Sequence, residues 1–167
     1  LYGSSDEKTG SAYHRFLELC DFSADAESEV NRLIDGHLLT TDEISLIDRR
    51  KIIQILKMPV FGKLSEYTLY KEQPFTAFLP AKEVEKGYAG NREILVQGII
   101  DLLAIKGDEA IITDYKHTTL SNDFQLAEYY KKQLKLYALA VEKVLKKRVV
   151  KTYLINIYAC KVIEVNL

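Results

Sequence analysis

Cysteine is scarce in this sequence: Cys20 and Cys160 are the two present. Two thiols cannot build a disulfide framework, a four-cysteine zinc site or an iron–sulfur cluster, and they make a reducing, cytoplasmic compartment the expectation. A charge excess of either sign is missing as well. With 23 Lys and Arg against 24 Asp and Glu, the net charge is -1, so no global field would hold the chain on nucleic acid or lipid, and any polyanion must be met by a local patch. No apolar run approaches the roughly 20 residues of a membrane helix, and the start lacks the charged and apolar regions of a secretion signal. There is no G-x-x-x-x-G-K-[ST] phosphate loop, so the chain carries no ATP motor of its own. Glycine and proline number only 8 and 3. With 47% hydrophobic and 28% charged residues, these are the proportions of one folded domain and not of a disordered, collagenous or low-complexity chain. The first residue is Leu1 and not Met, which suggests a piece of a longer polypeptide.

The texture of the chain changes once, near residue 60. Before it, Ala12, Tyr13, Phe16, Leu17 and Leu19 recur at the three- and four-residue spacings of a helix over Gly10–Cys20, and similar patterns predict helices over Asp25–Leu39 and Asp42–Leu56. Thr41 is the expected N-cap of the last, with Asp42 and Glu43 in its first turn, and Pro59 with Gly62 is expected to end the helical region. Beyond it, β-branched and aromatic residues predict strands over Glu66–Glu72, Ile94–Ile105 and Ala110–Thr118, a helix from Phe124 to about Lys147, and a strand over Val149–Tyr158. Long apolar hairpin strands with helices before and after imply a mixed sheet covered on both faces, an α/β or α+β domain.

The hairpin carries the chemistry. A turn centred between Gly107 and Asp108 pairs Ile105 with Ala110 and sets Asp101 opposite Asp114. Like charges directly across a ladder repel, with Cβ atoms about 4.5–5.5 Å apart. Alternation puts Asp101 with Ile99, Leu103 and Ile105, puts Asp114 with Ile112 and Lys116, and leaves Val96, Ile100 and Leu102 behind. Both faces are apolar, so neither acid belongs to a solvated strand face. Such a pair persists by sharing a proton beside an Asp–Lys bridge or by holding a cation. A hard divalent ion such as Mg²⁺ balances two carboxylates against the single charge of Lys116 and is the reading favoured here.

Asp101 followed by Asp114-Tyr115-Lys116 fits the D…(D/E)-x-K pattern. With Val96-Gln97-Gly98-Ile99-Ile100-Asp101, Ile112-Thr113-Asp114-Tyr115-Lys116, and Gln133 four residues before Tyr137, the chain closely resembles the RecB-like PD-(D/E)XK nucleases. Within them it resembles the C-terminal nuclease domains of the AddAB-type helicase–nucleases. Gly10-Ser11-Ala12-Tyr13-His14 is similar to the family's G-T-x-x-H segment, and Glu72-Gln73-Pro74-Phe75 with Leu79-Pro80 to its first core strand and the exit from it. His117 stands where the family has Thr after the lysine, and Ser11 replaces another Thr.

The resemblance implies a restriction-endonuclease-like core with an N-terminal helical segment. All of 1–167 would form one nuclease domain, with 1–62 contributing His14 and 63–167 forming the core. It implies His14, Asp101, Asp114 and the Tyr115 carbonyl as ligands of Mg²⁺, or of Mn²⁺, which suits an imidazole better. Asp101, Asp114 and Lys116 would be catalytic, and Gln133 and Tyr137 would contact the scissile strand. Gln133 is the polar exception on a helix face of Leu126, Tyr130, Tyr137, Val141 and Val144, and could equally cap a buried backbone group. Glu72 reads either as a supporting acid or as a surface glutamate. Lys131, Lys132, Lys135, Lys143, Lys146, Lys147, Arg148 and Lys151 would form a solvated, phosphate-contacting face. The implied activity is a metal-dependent DNA exonuclease in double-strand break repair and recombination. Its implied partners are a helicase portion of the same polypeptide delivering single strands and an AddB-like subunit, with no membrane involved. The rival readings are a nuclease-fold scaffold that has lost turnover and a free-standing RecB-like exonuclease.

Overall fold

The computed structural model describes residues 3–85, 87, 88 and 90–167. Its elements run α1 (Gly3–Leu19), α2 (Ala26–Ile34), α3 (Thr41–Leu46), α4 (Arg49–Leu56), α5 (Pro59–Leu64), β1 (Thr68–Pro80), α6 (Ala81–Val84), β2 (Glu93–Lys106), β3 (Glu109–Lys116), α7 (Asp123–Leu145), β4 (Arg148–Asn156) and β5 (Lys161–Glu164). The strands form a five-stranded sheet in the order β1-β2-β3-β4-β5, a mixed sheet flanked by helices as the sequence implies. Among the described residues, no helix is long and apolar enough to cross a membrane. The chain divides into two compact units, Leu1–Glu66 with Tyr115–Ser121 and Ile155–Ile163, and Tyr67–Asp114 with Asn122–Leu154 and Glu164–Leu167.

In the first unit, α1 buries Ala12, Tyr13, Phe16 and Leu17. The helix expected over Asp42–Leu56 is two helices. Thr40, not Thr41, is the N-cap of α3, and it shares a reciprocal capping box with Glu43. The chain turns extended at Ile47, and Asp48 starts α4 by accepting from the amides of Arg50 and Lys51. Asp48 is itself tied down, its N–H donating to the Tyr13 hydroxyl at 3.0 Å. Pro59 opens a helix and does not end one: it sits in the first turn of α5, where its missing N–H would have had no partner.

In the second unit, β1 and β2 pair antiparallel from Thr68↔Ile105 to Pro80↔Glu93. The strand expected to stop at Glu72 runs on to Pro80. The β2–β3 hairpin has the expected register, Ile105↔Ala110 through Leu102↔Thr113, about a turn in which Gly107 takes φ 56. β4 runs parallel to β3. Its start meets the start of β3, Arg148 donating its amide to the Asp108 carbonyl at 2.8 Å, and Ile157, just past its end, donates to the Lys116 carbonyl at 2.8 Å. Such a connection needs a crossover, and α7 supplies it. The buried residues of α7 are Leu126, Leu134, Ala138, Ala140 and Val141. The stripe is thus rotated from the one expected: Gln133 and Tyr137 lie half-buried at its margin, and Val144 is 52% exposed.

The Glu29 side chain of α2 is 3% exposed and is held by Arg32 and by the Asp21 amide. The Arg32 hydrogen bond, then the Asp21 amide working against burial, keeps the Glu29 carboxyl below its usual range. That stabilisation is present above the unfolded carboxyl's pKa, about 4.3, and is lost as pH falls through the folded value. Glu29→Gln should cost about 2 kcal/mol at neutral pH and flatten the acid limb of the stability profile, as measured by denaturant unfolding across pH.

Candidate active site

β2 and β3 carry the two aspartates into a buried layer. The ladder's last paired residues, Leu102 and Thr113, each adjoin an acid, Asp101 on β2 and Asp114 on β3, so the two acids lie one position beyond the paired register. Asp101 is 8% exposed and Asp114 1%. Residues 100–104 of β2 and 110–115 of β3 are buried without alternation, the mark of strands covered on both sides.

A third acid joins them that the sequence left undecided. The β1–β2 register passes from Lys71↔Leu102 to Gln73↔Ile100, which places Glu72 across from Asp101. Their carboxylates each offer an oxygen within 4.8 Å of the other. Glu72 has φ 46, a left-handed conformation uncommon for a residue with a side chain. Tyr70 and Phe75 on β1, and Ile100 and Leu103 on β2, line one cavity of about 360 Å³ together with Val141 of α7. Glu72 could have been found from sequence only by knowing the β1 register, and the long connection from β1 to β2 carries no tight-turn signal to set it.

Gln133 reaches this layer from α7. Its amide donates to the Tyr137 hydroxyl at 2.6 Å and to Asp114 Oδ1 at 3.5 Å, the latter at the limit of a hydrogen bond. Tyr137 packs edge-on against Phe75, ring centroids 5.4 Å apart. Beneath both rings lies Gly98, where a Cβ would come 2.7 Å from Phe75 and 3.3 Å from Tyr137. Phe75, Val96, Gly98, Lys132, Gln133 and Tyr137 border a further cavity of about 340 Å³. The basic face expected along α7 is largely neutralised. Lys131 pairs with Glu128, Lys135 with Glu83, Lys143 with Glu93, Lys147 with Asp108, Arg148 with Glu109 and Lys151 with Glu164.

In the other unit, His14 Nε2 lies 3.1 Å from the carbonyl oxygen of Tyr115, and the two rings meet edge to face. Two groups that the resemblance names as ligands are thus neighbours, and the carbonyl belongs to the residue that follows Asp114 on β3. Lys116 ends that strand, two residues past Asp114. Glu72, Asp101 and Asp114 offer hard carboxylate oxygens, donors of the kind a divalent cation takes.

The PD-(D/E)XK nuclease superfamily model matches residues 3–164. The chain belongs to the PD-(D/E)XK nuclease superfamily. It is 31% identical over 93% of its length to an ATP-dependent helicase/nuclease subunit of Clostridium botulinum (strain Alaska E43 / Type E3), covering 14% of that protein. It is 32% identical over 92% of its length to the corresponding helicase/nuclease subunit of Carboxydothermus hydrogenoformans, again covering 14%. To that of Desulforudis audaxviator it is 33% identical over 91%, covering 13%. The nuclease chain thus spans about one seventh of the length of these curated relatives, and the family resemblance read from its motifs is borne out.

Gly98→Ala should force the Phe75 ring off Tyr137 and cost about 1–3 kcal/mol. Chemical denaturation would register this as a lowered midpoint, and an unchanged midpoint would show that the rings yield freely.

Proposed function

We propose that this chain is a Mg²⁺- or Mn²⁺-dependent deoxyribonuclease domain that hydrolyses phosphodiester bonds as an exonuclease. One observation carries the reading: Asp101 and Asp114 are buried one position beyond the last pair of the β2–β3 ladder, with Lys116 two residues on, in a chain that belongs to a nuclease superfamily. His14, Asp101, Asp114 and the Tyr115 carbonyl hold the ion. A bound divalent ion supplies Lewis acidity at the scissile phosphate and acidifies the attacking water.

The protein's own groups do the rest. Lys116 orients the water and meets the charge that develops on the phosphoryl oxygens. Gln133, fixed by Tyr137, keeps Asp114 in one orientation and lies beside the scissile strand. Glu72 adds a third carboxylate, with an oxygen within 4.8 Å of one on Asp101, that strengthens the attraction for a cation. The resemblance to helicase/nuclease subunits supports single-stranded DNA as the substrate, delivered by a helicase portion of the same polypeptide, with an AddB-like partner. It also supports a role in double-strand break repair and recombination in the cytoplasm.

The test is degradation of single-stranded DNA by the full chain. With Mg²⁺ or Mn²⁺ the wild type should cut and a chelator should stop it, while Asp114→Asn and Lys116→Gln should each lower the rate by about 10²–10⁴. DNA that survives the wild type in either ion, or that both variants degrade at the wild-type rate, defeats the reading.

A further inference from the structure

Lys51 lies in the first turn of α4, its amide capped by Asp48. Its ammonium sits 4.7 Å from the centroid of the Tyr158 ring and donates to the Tyr158 carbonyl at 2.9 Å. Both partners are neutral. Among the described residues, no carboxylate pairs with Lys51, in contrast to Lys131, Lys135 and Lys143 of α7, which are matched to acids. The charge of Lys51 is therefore fixed in direction but not cancelled. Tyr158, in the turn after β4, is 49% exposed. His117 meets it edge to face at 5.8 Å and stacks on its other side against buried Tyr13, also at 5.8 Å. Tyr13 closes the circuit by accepting from the Asp48 amide. This aromatic and cationic cluster is attached to the proposed catalytic lysine: His117 follows Lys116 in the chain, and Ile157, which precedes Tyr158, donates to the Lys116 carbonyl.

We propose that Lys51 and Tyr158 form a subsite for a nucleotide of single-stranded DNA flanking the scissile phosphate, with Lys51 contacting a backbone phosphate and the Tyr158 ring stacking on the base. An aromatic ring accepts any base because every base has a π-face, and a cation beside it tracks the backbone. A lysine oriented by a ring and a carbonyl meets a phosphate without first breaking an ion pair, and it loses little side-chain freedom on doing so. The subsite rests on the nuclease reading for the strand it serves.

The full chain is titrated with a fluorescent oligothymidylate across a salt series without divalent metal, so that nothing is cut, and binding is followed by anisotropy. Lys51→Gln should reduce the slope of log K against log salt by about 0.7, and Lys51→Arg should restore it. Tyr158→Leu should weaken binding by about 5- to 150-fold, with Tyr158→Phe close to wild type. Irradiation with an iodouracil oligonucleotide should label Tyr158. A wild type that binds no single strand, a Lys51→Gln slope equal to wild type, or a Tyr158→Leu affinity equal to wild type overturns the subsite. If melting curves show that a variant is unfolded, the wild-type crosslink decides: label at Tyr158 supports the subsite and label elsewhere overturns it. Cleavage with metal separates the two readings. A chain that cuts while these variants bind normally keeps the nuclease and loses the subsite, and one that binds through both residues without cutting keeps the subsite and loses the nuclease.

Discussion

Negative charge concentrated across neighbouring strands is the constraint on which the rest depends. Glu72 lies across from Asp101 on β1 and β2, and Asp114 follows the last paired residue of β3, at a level where β2 and β3 are buried on both faces. Carboxylates so placed raise one another's free energy unless positive charge or protons enter the layer. A hydrophobic sheet that needed only to fold would carry Val or Ile there. The sheet instead supplies a rigid frame, and β3, the middle strand of five, also bears the lysine and the carbonyl associated with the proposed chemistry. A site built on paired strands holds its side chains more precisely than one built on loops.

Much of this was legible because short-range rules governed it. The two-residue turn at Gly107-Asp108 fixes the register as far as Leu102↔Thr113, and Asp101 and Asp114 are the next residues on their strands. The superfamily motif lies on these same strands, so motif and geometry agree. What was not legible depended on longer-range information. Glu72 faces Asp101 through a β1 register that no tight turn announces. The rotation of α7, which leaves Gln133 and Tyr137 at the edge of the buried stripe, follows from packing against β1 that helical periodicity does not encode. The break at Ile47 depends on Asp48 capturing two amides, with its own amide held by Tyr13 from another helix. Periodicity over Asp42–Leu56 continues straight through that break, which is why one helix was expected.

The neutralised lysines of α7 bear on how such a chain would meet DNA. With a net charge of -1 and most of the basic residues of α7 and the segment after it paired to acids, this basic region offers a polyanion few uncompensated cations. Affinity for a strand would then come from few contacts and respond weakly to salt. Loose holding of DNA is consistent with the proposed delivery of the strand by a helicase portion.

The left-handed backbone at Glu72 sets strand stability against the proposed metal site at a single residue. Glycine or asparagine would adopt φ 46 with less strain than glutamate does. Either replacement would relax the strand and remove a carboxylate in the same step. Selection for thermal robustness alone would therefore favour replacing the acid at this position, and retaining glutamate costs some robustness, which the proposed metal site would account for.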